Sequence, residues 1–162
     1  LDFIVSHLKT ITKKMDASNL AEHIKNSSDA HREALEKLRQ TVINNTPKGF
    51  HEENELWNDR LCDDQSLYPA GYYCNTKLPL PFMNIASQKN FIGFFYLGMY
   101  ANKEVYDWFV IEYGKRASSI LDMGESCVRF KKPEHLLYDL ISEHCKKFTV
   151  KQWIETYETA FR

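Results

Sequence analysis

The densest run of groups able to do chemistry is His51-Glu52-Glu53-Asn54-Glu55, followed by Asp59, Cys62, Asp63 and Asp64. Carboxylates are hard oxygen donors, and with one imidazole among them the set suits Fe2+ or Mn2+. Were residues 51–57 extended, alternation would place His51, Glu53 and Glu55 on one face as a shallow acidic ridge. The ligand set expected on this reading is His51, Glu52, Glu53, Glu55, Asp59, Asp63 and Asp64. The competing account makes the same charges a solvated edge strand that discourages aggregation.

A second group is Tyr68, Tyr72, Tyr73, Lys89 and Arg129, with Trp57 nearby. Aromatic walls and two cations would suit a small anionic or aromatic ligand in a concave pocket. Alternatively, the tyrosines of a Pro-Gly loop close the core and hydrogen-bond at their tips. Motifs of nucleophilic, phosphate, dinucleotide or zinc chemistry are missing: the sequence has no Gly-x-Ser-x-Gly, P-loop, Gly-x-Gly-x-x-Gly or His-Glu-x-x-His. The expectation is a binding protein rather than an enzyme. His144 falls on an apolar stripe and reads as a satisfied core histidine. Cys127 precedes Arg129, but a thiol needs exposure as well as nearby positive charge to react.

These groups must be carried by elements that the periodicity marks out. Leu1, Ile4, Val5, Leu8, Ile11 and Met15 recur at helical spacing opposite Lys9, Lys13 and Lys14, so a first amphipathic helix is expected. A short helix over 19–25 follows. Ser27-Ser28-Asp29 then caps a longer one lined by Ala34, Leu35, Leu38 and Val42, which Pro47 and Gly49 bring to an end. Strands are expected over 80–87 and 91–97, turned by Gln88-Lys89-Asn90 and apolar on both faces, so both faces should be covered. Asn102-Lys103 opens a helix with Val105, Trp108, Phe109 and Glu112 at helical spacing. Residues 127–131 alternate as a half-buried strand. Pro133 suits a first helical residue, with a long stripe from Leu136 through His144 to Phe148. Thr149-Val150-Lys151-Gln152 fits a capping box opening a last helix on Val150, Trp153, Ile154, Tyr157 and Phe161. Helices, strands, then a helix, a strand and two helices make an α+β domain.

The bulk properties narrow the function classes. The 162 residues suit one domain, 1–162, with residues 1–16 as an N-terminal helical extension, and 14% aromatics foretell an aromatic core. With 21 basic against 22 acidic residues and a formal charge of −1, the chain lacks the basic footprint that nucleic acid demands. Its longest apolar run, 91–101, is far short of the ~20 residues that cross a bilayer. No basic leader precedes a cleavage site. Cys62, Cys74, Cys127 and Cys145 lack zinc or Cys-x-x-Cys spacing and read as reduced thiols, so a cytoplasmic location is expected. A metal ion, a small anionic ligand or a second copy of the chain are the partners left open.

Several of these segments are familiar in combination. Residues 66–74 (Ser-Leu-Tyr-Pro-Ala-Gly-Tyr-Tyr-Cys), 80–91 (Leu-Pro-Phe-Met-Asn-Ile-Ala-Ser-Gln-Lys-Asn-Phe), 121–124, 126–133 and 138–141 closely resemble a YdhG-like bacterial family of the Bacteroidetes type. Residues 31–39 resemble that family's long helix, so the resemblance covers about 17–162. It implies helices packed on an antiparallel sheet, similar to frataxin, and by that analogy an iron-binding or iron-chaperone role. Ferrous iron is the cofactor it suggests. Two departures stand out: Leu56 to Asp64 replaces the family's usual strand, and Glu125 replaces a lysine, reversing the charge beside Ser126-Cys127.

Overall fold

The computed structural model describes residues 29–55, 58–63, 66–72, 76–88, 90–124 and 127–161, with the backbone alone over 53–55 and 58–63. The expected helices over 1–15 and 19–25, and the Ser27-Ser28 cap, lie outside these residues. Helix α1, Asp29–Asn45, presents Ala34, Leu38 and Val42 at four-residue intervals, and all three are buried. A five-stranded antiparallel sheet follows in the order β1-β2-β3-β4-β5, formed by Phe50–Glu55, Asn58–Asp63, Pro81–Ser87, Ile92–Tyr96 and Cys127–Phe130. Between β4 and β5 run helices α2 (Leu97–Ala101) and α3 (Lys103–Arg116), and after β5 come α4 (Tyr138–Cys145) and α5 (Val150–Phe161). The architecture is α+β.

Register explains the core. Met83 pairs with Tyr96, Ile85 with Phe94, Phe94 with Val128 and Ile92 with Phe130, which sets these side chains on one face. All of them are buried, at the heart of one apolar cluster that also holds Leu38, Phe109, Leu140 and Trp153. The opposite face carries the smaller cluster of Ala86, Phe95 and Cys127. Burial on both faces is what the largely apolar character of β3 and β4, on each side, required.

Local signals account for the boundaries. Asn102 caps α3, its side-chain oxygen accepting from the amides of Glu104 (3.0 Å) and Val105 (3.2 Å). At α5 the Thr149 amide donates to Gln152 Oε1 (2.9 Å) and the Gln152 amide to Thr149 Oγ1 (3.3 Å), closing the expected capping box.

Three expectations need correction. Strand β4 ends at Tyr96, and Leu97 opens α2 instead. A Cβ on Gly98 would lie 2.6 Å from the Tyr96 ring and 3.1 Å from those of Phe82 and Phe148, so its absence lets α2 settle on the rings. Pro133 starts only a 3-10 turn, Pro133–His135, because Leu136 (ψ 111°) and Leu137 (ψ 80°) leave helical geometry before α4 begins. That break lets Leu136 reach the core, where it is buried. Residues 58–63, within the stretch where the resemblance lost its usual strand, nonetheless form one, β2.

Candidate functional site

The acidic run lies on the hairpin β1–β2, and β1 is an edge of the sheet. Its register pairs His51 with Cys62, Glu52 with Leu61, Glu53 with Arg60, Asn54 with Asp59 and Glu55 with Asn58. Alternation therefore sets positions 51, 53 and 55 apart from 50, 52 and 54. His51 is exposed, whereas Glu52 is half-buried. The two positions differ in what they face.

Glu52 is held by α1. Arg39 donates from Nε to Glu52 Oε1 and from Nη2 to Oε2, both at 2.7 Å, a fork-to-fork pair of the strong kind. Its carboxylate thus pins the edge strand to the helix instead of joining His51 on the ridge. Arg39 was missed in the sequence. The available signal was position: it lies four residues from both Leu35 and Ile43, which pack on the core, so it borders the buried stripe.

Asp59 and Asp63 occupy β2, opposite Asn54 and Phe50, on the other set of register positions from Glu53 and Glu55. The ridge and these two aspartates are therefore offset by the pleat rather than gathered around one point. Asp64 lies outside the described residues. Among the described residues, no group of three or more His, Cys, Asp or Glu side chains stands close enough to hold a metal ion.

The aromatic group is divided. Tyr68 is buried, with its hydroxyl donating to Glu158 Oε1 at 3.1 Å and its ring edge-on to Tyr157 at 6.2 Å. Tyr72 is buried too, and its amide donates to the Leu78 carbonyl at 3.0 Å. Both close the core against α5 and the following turn. Arg129 stands on β5, donating to Asp122 Oδ1 from Nε (2.9 Å) and Nη2 (2.6 Å), and Lys131 reaches Asp122 Oδ2 at 3.0 Å. Those two cations hold the Asp122 carboxyl below its usual range. Arg129 thus fastens the 121–124 segment to the strand and does not meet Tyr68 in one wall. Trp57, Tyr73 and Lys89 lie outside the described residues.

No family model, curated protein or solved structure matches the chain.

Two buried groups complete the inventory of chemistry. His144 is fully buried, as expected, but neither ring nitrogen has a hydrogen-bond partner among the described residues, so it is not the satisfied core histidine the apolar stripe suggested. Its ring is enclosed instead by Tyr96 (4.4 Å between centroids), Phe109 (4.7 Å) and Trp108 (5.6 Å). Burial, aided by the Lys147 charge, pulls its pKa down to about 3 and keeps it neutral. Cys127 is buried as well, and desolvation raises its pKa against the opposing pull of Arg129. Neither group is poised as a nucleophile or base. No helix among the described residues is long and apolar enough to cross a membrane.

Proposed function

We propose that the chain is a non-enzymatic binding protein of YdhG-like, frataxin-like type, taking a divalent, oxygen-preferring cation at the β1–β2 edge, with ferrous iron first among the candidates. The ligands named by this reading are His51, Glu53 and Glu55; Asp59 and Asp63 occupy the other set of register positions and leave the set. Glu52 leaves the ligand set because both of its oxygens accept from Arg39.

The observation that supports the reading is the register of β1, an edge of the sheet among the described residues. An imidazole and two carboxylates recur at alternate positions on β1, about 6–7 Å apart along the strand. Hard oxygen donors with one nitrogen fit Fe2+ or Mn2+ better than Cu+ or Zn2+. A row so spread would bind weakly and exchange quickly, as suits delivery rather than storage.

Anaerobic calorimetry with Fe2+ tests it. Saturable heat that disappears in a combined His51→Ala, Glu53→Gln, Glu55→Gln variant supports the site. Absence of saturable heat, or heat unaltered in that variant, rejects it.

A further inference from the structure

Among the described residues, the exposed large hydrophobic side chains are Leu67, Val110, Ile111 and Ile120, and two of these are neighbours on one helix. Helix α3 buries Phe109 and Tyr113 and turns Val110, Ile111 and Gly114 outward. Gly114 lies three and four residues beyond them, hence on the same stripe. A Cβ built on Gly114 would meet nothing within 4 Å, and its φ is not positive, so neither crowding nor backbone conformation calls for glycine. Glycine nevertheless weakens a helix interior relative to alanine, and valine and isoleucine are also inferior helix formers. Within a lone chain this face is poorly chosen.

A second helix laid across it accounts for all three residues. The missing side chain at Gly114 admits a close backbone approach, and Val110 and Ile111 flank that point as the apolar contacts. The charges indicate which helix. Glu104 and Asp107 lie toward the start of α3 beside Lys103, and Lys115 and Arg116 end it, Arg116 also reaching Glu143 of α4. An antiparallel copy of the same helix would lay each acidic end along the basic end of its mate, the self-complementarity that a two-fold interface requires. The pairs Lys103–Asp107 (2.5 Å) and Lys115–Glu112 (2.7 Å) run within the helix with exposed lysines, so they are cheap to share or redirect.

We propose that the outward face of α3 is a two-fold interface between two copies of this chain, crossing at Gly114 with Val110 and Ile111 packed on either side. A contact centred on one 14-residue helix is small for a stable dimer, so association belongs in the micromolar range.

Sedimentation equilibrium on the 162-residue chain from about 5 to 500 μM spans that range. The expected result is a reversible monomer–dimer equilibrium that Ile111→Glu weakens at least tenfold. Gly114→Ala gives a sharper signature: it weakens the dimer while raising the melting temperature of the dilute monomer, because a methyl there helps the helix and obstructs only the mate. A chain that stays monomeric over the whole range overturns the proposal. So does a dimer that both variants leave unchanged.

Discussion

The imidazole of His144 lies nearly parallel to the indole of Trp108, with 5.6 Å between ring centroids and 10° between planes, and the Lys147 ammonium stands over that indole at 3.7 Å. This arrangement joins α4 to α3 through a neutral ring. The π-face of Trp108 is engaged by a cation that repels protonation of the histidine.

A pH dependence follows. The unfolded chain takes up a proton at this histidine below about 6.5, whereas the folded chain resists until about 3. Stability from this group is therefore complete above pH 6.5 and is lost as pH falls toward 3, because the unfolded state binds the extra proton. Between pH 7 and pH 5 the loss should be roughly 2 kcal/mol. Urea unfolding at the two pH values measures it. A His144→Phe variant should flatten the dependence over that interval, and an unaltered slope would contradict the account.

The Arg39–Glu52 pair separates holding the edge strand from binding at it. Replacing Glu52 by Gln leaves a half-buried guanidinium short of its charged partner and should destabilise the fold by about 1–2 kcal/mol. Iron heat should persist in this variant, whereas Glu53→Gln with Glu55→Gln should diminish it with little effect on melting. Equal effects of both on iron would return Glu52 to the ligand set.

Asp122 ties its own segment to β5 through Arg129 and Lys131, and the Arg129 amide also donates to the Asp122 carbonyl at 2.8 Å. The carboxylate's pKa is lowered, so its contribution is present above the ordinary carboxylate range and fades as acid protonates it. Asp122→Asn should melt several degrees lower at pH 7, with the difference narrowing toward pH 3. Releasing Arg129 should also quicken alkylation of Cys127, whose thiol the Asp122 charge helps keep protonated, as peptide mapping by mass spectrometry would read. Cys145, buried with its pKa pushed up to about 12, should label only after unfolding.

Gly71 has a φ of +61°, and a Cβ there would stand 2.5 Å from the Thr76 carbonyl oxygen and 2.9 Å from that of Leu78. Both the conformation and the backbone contacts exclude a side chain. Gly71→Ala should destabilise by more than about 1 kcal/mol, in contrast to Gly114→Ala on the open face of α3. Thermal melts of the two variants side by side check the contrast.

What the sequence could determine was local. A capping box at Thr149, an asparagine before Lys103 and an apolar hairpin pairing Ser87 with Ile92 each act within a few residues, and each reappears where its chemistry requires. The acidic run was legible as a run, and His144 as an interior residue, because composition and period survive in one dimension. Only tertiary structure decided that Glu52 answers to Arg39, 13 residues away, while its neighbour His51 stays exposed on the ridge. The break at Leu136 and Leu137 was equally hidden, since an apolar stripe reads as helix until the core's shape draws one leucine out of register. Partners distant along the chain meet only after folding, and the pleat and packing then settle which groups are tied into the fold.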